Sequence, residues 1–414
     1  MLRILPLDEA QNFIKRKAVR LAEAEQTVAP ILEAVRKRGD EALLEYARKF
    51  DGLEGNSVTI PEAAMREAEA RVSPEFRAAL ETAARNVREY AEIQLPRENW
   101  VEFQDGRRLG QIVRPLDSMG AYIPAGRYPL PSTLLMTAIP AQVAGVKTIC
   151  VTSPRPSTEI MAAARFLGLK HLFRVGGAQA IAALAFGTAT IPKVDRIVGP
   201  GNIYVTAAKK ALAGEVGIDF IAGPTEIVII AEDADPRHIA ADMLAQAEHD
   251  VEASSILLTT SRQLGEQVAQ EVARQLGMLP TAPVACQSIR NHSAVILCPS
   301  VDAAVDASNR LAPEHLAIYD DGLLPKIRHA GSIFVGPSSP EAAGDYASGP
   351  NHVLPTAGAA RIRGGLSSAD FVKVISVQEL SADGLARLAP AITTLARAEG
   401  LEAHARSVEV RLGK

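Results

Sequence analysis

The chain has 414 residues, of which 47% are hydrophobic and 22% charged. At about 150 residues per domain this length is too great for one core and predicts two or three domains, while the composition excludes wholesale disorder. The net charge of −4, with both signs interleaved and no Lys/Arg cluster, argues against a nucleic-acid partner.

In chain order, Met1 to Gln11 lacks the basic region and apolar run of a secretory signal, so a cytoplasmic location is expected. From Val28 to Leu95 the pattern is helical, with apolar residues three and four apart, as in Phe76, Leu80, Ala83, Val87 and Tyr90. Ser73 before Pro74 marks one helix start, because the hydroxyl can cap and proline needs no donor there. Pro96–Arg108 reads as a linker. The uncharged stretch Tyr128–Val146 nears the length of a membrane span, but Pro129, Pro131 and Pro140 interrupt it, and a buried helix fits better.

Beyond the linker, short apolar runs alternate with helical stretches. Strands are expected at Ala121–Ile123, Thr148–Thr152, Leu172–Val175, Arg196–Val198, Ile227–Ile230, Ile256–Leu258, Ala294–Leu297, Leu316–Tyr319 and Ser332–Val335. Helices are expected at Thr158–Leu167, Ala178–Phe186, Asn202–Leu212, Pro236–His249 and Ser261–Gln275. This alternation predicts an α/β fold with largely parallel sheets and functional loops that follow the strands. Low aromatic content, 4%, points the same way, towards an aliphatic core. A break after Thr225 separates two such series. From Gln378 the pattern returns to helix and closes with a short Val408–Val410 strand, a tail too small to fold alone. Cys150, Cys286 and Cys298 lie in separate apolar segments without C-x-x-C spacing, which argues against disulfides and a cysteine-zinc site.

Four constellations can carry chemistry. Gln246 and His249, three apart at a helix end, can reach one point and hold a metal, although an exposed helix end would use the same residues. Gly344–His352 reads as a loop bringing Asp345 and His352 near a strand end. Oxygen and imidazole suit zinc, and a solvated turn is the plainer alternative. Glu314 and His315 stand side by side before a buried strand, where they can perform two distinct proton transfers. Glu399 and His404 form a further carboxylate and imidazole pair in the tail. His171, His238, His292 and His329 read as structural or solvated. Gly199-Pro-Gly-Asn202 follows a strand and opens a helix, where amides can meet a phosphate. It is not the usual dinucleotide fingerprint, since Tyr204 occupies the third glycine position, and spacing alone names no cofactor.

Together these pieces resemble the histidinol dehydrogenase family over nearly the whole chain. The resemblance runs through Arg36–Leu43, Gly120–Pro124, Gly176–Ala180, Val198–Val205, Ala222–Glu226, Gln246–His249, Pro313–Leu316, Gly344–Thr356 and the Glu399/His404 pair. It implies an enzyme that oxidises L-histidinol through the aldehyde to L-histidine with two NAD, in the last steps of histidine biosynthesis. Zinc would be held by Gln246, His249, Asp345 and His404, the last contributed by the partner in a homodimer with shared sites. His315 would be the base for hydroxyl protons, and Glu314 would activate water. Thr225, where many relatives carry serine, would contact substrate with His352 and Glu399, beside the zinc ligands and His315. Tyr122, Gln179 and Asn202 would contact NAD. The fold implied is two incomplete Rossmann-like α/β/α domains with helical N- and C-terminal extensions. In this division residues 1–22 form an extension, 23–118 and 226–366 a discontinuous first domain, 119–225 an inserted NAD-contacting domain, and 367–414 a tail serving the partner's site. The alternative is a paralogue with the same zinc and NAD machinery acting on another small alcohol.

Overall fold

The computed structural model describes residues 2–9, 18–125 and 128–413. Residues 1 and 10–17 of the expected N-terminal extension therefore lie outside the described residues. The chain divides into two units, Met1–Gln94 with Asp117–Phe371, and Leu95–Leu116 with Val372–Lys414.

In the first unit, apolar runs such as Ile227–Ile230 and Ile149–Val151 are buried. A strand covered on both faces reads as a continuous hydrophobic run, and parallel pairing with helical crossovers supplies that cover. Six parallel strands lie in the spatial order Arg3–Pro6, Ala294–Leu297, Ser254–Thr259, Glu226–Ile230, His315–Ile318 and Ser332–Val335. A second parallel sheet has the order His171–Arg174, Thr148–Ser153, Ser118–Tyr122, Arg196–Val198 and Gly217–Ile218. The nine strands expected in the two α/β series are present, with Arg3–Pro6 and Gly217–Ile218 added at the edges. Apart from the edge strand Arg3–Pro6, each sheet starts in its interior, grows to one side and then jumps to the other. The chain order therefore reverses between Ser118–Tyr122 and Arg196–Val198, and again between Glu226–Ile230 and His315–Ile318.

Helices cover these sheets. Val268 and Val272 of the Arg262–Leu276 helix pack on one face of the six-stranded sheet with Met243 and Ile229. Ala304 and Val305 of the Val301–Leu311 helix lie in a separate core with Val228 and Ile296. Val28, Leu32 and Val35 of the first long helix, Ala18–Arg38, join Ile181, Leu184 and Ile197 of the five-stranded sheet's core. The uncharged stretch holds the helix Pro131–Ala144, buried on nearly every side. Among the described residues no helix is long and apolar enough to cross a membrane. Ser73 caps as expected, accepting the Phe76 N–H at 3.1 Å.

The second unit departs from the sequence reading. The supposed linker carries the strand Asn99–Glu102 and the start of Arg107–Pro115, and the tail opens with the strand Val372–Leu380. These three pair antiparallel, with Arg107–Pro115 in the centre. Their solvated faces carry charges that obscure a strand pattern, including Arg108, whose Nη1 lies 2.7 Å from Glu379 Oε2. The helices Ala382–Ala398 and Glu402–Glu409 follow. The expected Val408–Val410 strand is instead the end of the last helix and a 3₁₀ turn, Val410–Leu412. Its two valines do not share a buried face: Val408 is buried with Ala405, one turn earlier, while Val410 is exposed.

Candidate active site

The acid–base cluster lies at the amino edge of the six-stranded sheet, contrary to the expectation that functional loops follow the strands. Thr225 immediately precedes one strand and Glu314 its neighbour, on either side of the chain reversal, and His315 is in register with Ile227. Glu314 Oε2 accepts hydrogen bonds from the Thr225 hydroxyl at 2.6 Å and the Glu226 N–H at 2.9 Å. The Thr225 oxygen in turn accepts from Gln246 Nε2 at 2.8 Å. Gln246 can reach this edge because a crossover helix runs antiparallel to its strands: the helix Pro236–Ala247, capped by Asp235, ends there. Gln246 is fully buried, and its Oε1 has no hydrogen-bond partner among the described residues. His249 stands two residues beyond the helix end, not within it as expected, and its Nε2 is 3.6 Å from Asp345 Oδ2.

Asp345 belongs to the short helix Glu341–Tyr346, where the sequence suggested a loop. Gly344 permits this placement, because a Cβ there would stand 2.6 Å from the Phe334 ring. Phe334 in turn lies 6.0 Å, centroid to centroid, from the His315 imidazole. The Asp345 carbonyl accepts a hydrogen bond from His352 Nδ1 at 2.7 Å, which leaves His352 Nε2 to accept from the Thr133 hydroxyl at 3.1 Å. Thr133 lies in the first turn of Pro131–Ala144, the helix that follows the Ser118–Tyr122 strand. The acid–base cluster thus adjoins the carboxyl edge of the five-stranded sheet.

His315 Nδ1 is 3.2 Å from the Glu226 carbonyl, an acceptor only, so Nδ1 carries the proton and Nε2 is the free base. That Nε2 is buried with no hydrogen-bond partner among the described residues, 3.8 Å from Asp345 Oδ1. Burial pushes His315 down to about 4 and Glu314 up to about 8, the latter against the Thr225 and Glu226 hydrogen bonds. Two neighbouring groups are thereby pushed apart, with His315 neutral at pH 7 and Glu314 mostly protonated. Burial also lowers His352. At Asp345 burial acts upward, but His249 and the other two imidazoles outweigh it and hold the carboxyl below its usual range. At His249 burial acts downward and the Asp345 carboxylate outweighs it, raising the imidazole.

Glu341 was missed by sequence reasoning. It is buried, both carboxyl oxygens lack hydrogen-bond partners among the described residues, and Oε1 lies 3.3 Å from His315 Nδ1. Burial, with the Asp345 and Glu314 carboxyls nearby, raises it well above the ordinary range. In the sequence it is an acid following proline at a helix start, which reads as a solvated first-turn residue.

These shifts predict how stability varies with pH when chelator keeps metals out. Glu314 is raised from 4.5 to about 8, so its contribution is full below pH 4.5 and is lost as pH rises through 8. Glu341 and His249, also raised, act in the same direction. His315 and His352, lowered from 6.5, contribute fully above that value and change only below it. The melting temperature of the metal-free chain should therefore fall between pH 6.5 and 8, and Glu314→Gln should flatten that slope. An equally steep fall in the variant would refute the raised carboxyl.

At the other edge, Tyr122 ends one strand beside the chain reversal and Gly199–Asn202 follows its neighbour. The Tyr122 hydroxyl oxygen accepts the Gly177 N–H at 3.2 Å. Gln179 is buried and donates to Asp51 Oδ2 at 3.1 Å, and the same oxygen accepts the Gly176 N–H at 3.0 Å. Asp51 thus occupies the anion position at that helix start, which the sequence did not reveal. Asn202 is exposed and caps the helix Ile203–Leu212 through Oδ1. Glu399 and His404 lie in the second unit, both exposed, at the end of one helix and the start of the next.

Buried acid and base groups at the edge of a doubly wound parallel sheet define an α/β enzyme. The histidinol dehydrogenase family model matches residues 14–412. Histidinol dehydrogenases from Geobacter metallireducens and Geobacter sulfurreducens are 52% and 51% identical over 404 and 402 residues, each covering 94% of this chain and 92% and 94% of the relative. The crystal structure of histidinol dehydrogenase from Elizabethkingia anophelis superposes with a TM-score of 0.94 at 39% identity, over 100% of this chain and 98% of that one. The chain belongs to the histidinol dehydrogenase family, whose members are oxidoreductases.

Proposed function

We propose that the protein is a cytoplasmic zinc- and NAD-dependent enzyme that oxidises L-histidinol through L-histidinaldehyde to L-histidine, reducing two NAD, in the last steps of histidine biosynthesis. The observation that carries this reading is the His315 imidazole, neutral, with its Nδ1 proton held and its Nε2 buried and unpartnered next to Glu314.

The donor set fits zinc. Gln246 Oε1 is a buried acceptor lacking a donor among the described residues, and Gln246 stands three residues before His249, whose imidazole already faces the Asp345 carboxylate. Gln246, His249 and Asp345 would hold the ion, with His404 of a second copy completing the set. His315, Glu341 and Asp345 also bring ligand atoms within 4.8 Å of one another. That grouping is less apt, because burial favours the neutral form of Glu341 and His315 is needed as base. When bound, zinc supplies a fixed positive charge that orients the substrate's imidazole and amine. A homodimer is supported by Leu395, Leu401 and Val410, exposed apolar residues around Glu399 and His404. NAD fits the carboxyl edge at the reversal of strand order, where parallel α/β sheets bind ligands. Residues 119–225 would then serve the cofactor and 226–366 the substrate.

In the first oxidation His315 Nε2 would take the hydroxyl proton, while NAD, when bound, would supply the acceptor for the hydride of the carbinol carbon. Water then adds to the aldehyde while Glu314, as carboxylate, takes its proton; an apparent value near 8 makes it a stronger base than an ordinary carboxylate. The gem-diol again offers a hydroxyl and a C–H. Having returned its first proton to the carbonyl oxygen as water added, His315 would accept another during the second hydride transfer, giving the carboxylic acid, which loses its last proton to solvent. Thr225 and the Glu226 N–H fix Glu314 Oε2 throughout, and His352 and Glu399 contact the substrate.

The test is to count NADH per histidinol consumed by zinc-loaded protein. Two supports the full sequence. One would remove the role given to Glu314, and none with histidinol but some with another alcohol would replace the substrate.

A further inference from the structure

A buried ion pair holds the loop that follows the Arg196–Val198 strand. The Lys209 ammonium contacts Asp219 Oδ1, and their side chains are only 3% and 0% exposed. Both ends of the pair also reach one residue: Asp219 Oδ2 accepts the Gly199 N–H at 2.8 Å, and Lys209 Nζ donates to the Gly199 carbonyl at 3.0 Å. Gly199 has φ +111°, and a Cβ on it would stand 2.2 Å from the Tyr122 carbonyl oxygen. Its backbone is therefore pressed against the end of the neighbouring strand and clamped from behind by two charges. Asp219 is anchored in turn: Oδ1 accepts the Phe220 N–H at 2.7 Å, and its carbonyl accepts from Arg363 Nη1 at 2.5 Å. Lys209 sits in the same helix that Asn202 caps, so one rigid element carries both residues.

Stability alone does not account for this arrangement. A buried ion pair recovers little beyond its desolvation cost, and an apolar pair of similar volume often serves a core as well or better. An apolar pair cannot bind both peptide groups of a glycine held in the left-handed region. We infer that Lys209 and Asp219 are positioning residues for the dinucleotide. They fix Gly199–Asn202 against Tyr122, so that the two cofactor-contacting side chains stand at a set separation before NAD arrives. This rests on the assignment of Tyr122 and Asn202 to NAD made above. The effect belongs to cofactor affinity, because neither residue approaches the acid–base cluster through any of these bonds.

The experiment measures NADH binding by fluorescence titration without histidinol, alongside melting temperature, zinc content and amide exchange in the 199–202 loop. The variants are Lys209→Met, the milder Asp219→Asn, the double Lys209→Met/Asp219→Leu and, as reference, Asn202→Ala. Lys209→Met and the double variant should each weaken NADH binding by about tenfold or more, the scale of one or two lost hydrogen bonds to charged groups. The double variant should regain much of the melting temperature lost by Lys209→Met yet not the affinity, a split that a purely structural pair would not produce. Loop exchange should quicken while zinc content stays unchanged, and Asp219→Asn should shift affinity in the same direction even if the others fold poorly. NADH bound at full strength by the folded pair variants, while Asn202→Ala weakens it, would overturn the positioning role. Unchanged binding in Asn202→Ala as well would overturn the cofactor assignment and this inference with it.

Discussion

His315→Asn is expected to lower turnover of histidinol by about a hundredfold to ten-thousandfold, the range for loss of a positioned general base. Asparagine can still meet the Glu226 carbonyl through its amide, so the strand edge should survive, but it offers no basic nitrogen. Binding of zinc, NADH and histidinol should change little, since the loss falls on proton removal in the transition state. The pH profile is a second check. With His315 lowered to about 4, the unmutated enzyme should show no acid limb from this residue until well below neutrality. In the zinc-loaded variant, steady-state rates together with histidinol binding by calorimetry would decide the matter. Turnover within a few-fold of normal would end the assignment of His315 as base.

Asp345→Asn should cost at least about a hundredfold in zinc affinity, a loss beyond the range seen when only outer-shell partners are changed. The carboxylate is held ionised by the three imidazoles around it, and the amide would remove both its charge and its stronger donor oxygen. His249 should fall in pKa as its partner vanishes, since the Asp345 contact is what raises it against burial. Zinc retained against a competing chelator, measured by atomic emission, reports the first effect, and an NMR titration of His249 in metal-free protein reports the second. Full zinc occupancy in the variant would show that the ion sits elsewhere, with His315 and Glu341 the first place to look.

The parts of the molecule that announced themselves share one physical trait. Strand segments such as Ile227–Ile230 and Ala294–Ile296 are buried on both faces, so they read as continuous apolar runs. Strands with a solvated face gave no such sign. Arg107 and Arg108 on one strand read as linker, and Glu379 on its partner as helix, until the pairing is seen. At the candidate active site, Glu314 and His315 were visible as neighbours, Gln246 and His249 as a helically spaced pair, and Asp345 as a polar loop residue, each open to a plainer solvated reading. Their convergence at the amino edge was not, because it depends on where a crossover helix ends and on Gly344 clearing the Phe334 ring. Glu341, Asp51 and Lys209 stayed hidden for another reason. Each is a charged residue at a helix terminus, where solvation is the ordinary outcome, and only the tertiary fold removes the water.

If the proposed acid–base groups react where the strands Glu226–Ile230 and His315–Ile318 begin, the turns where Ser254–Thr259 and Ala294–Leu297 finish lie at the opposite rim. At about 3.3 Å per residue, strands of four to six residues set the two rims roughly 13–20 Å apart. The junctions around Thr260–Ser261 and Pro299–Ser300 are therefore natural places to graft a fluorophore, an affinity handle or a surface tether on a working enzyme, and surface loops of this kind accept such additions.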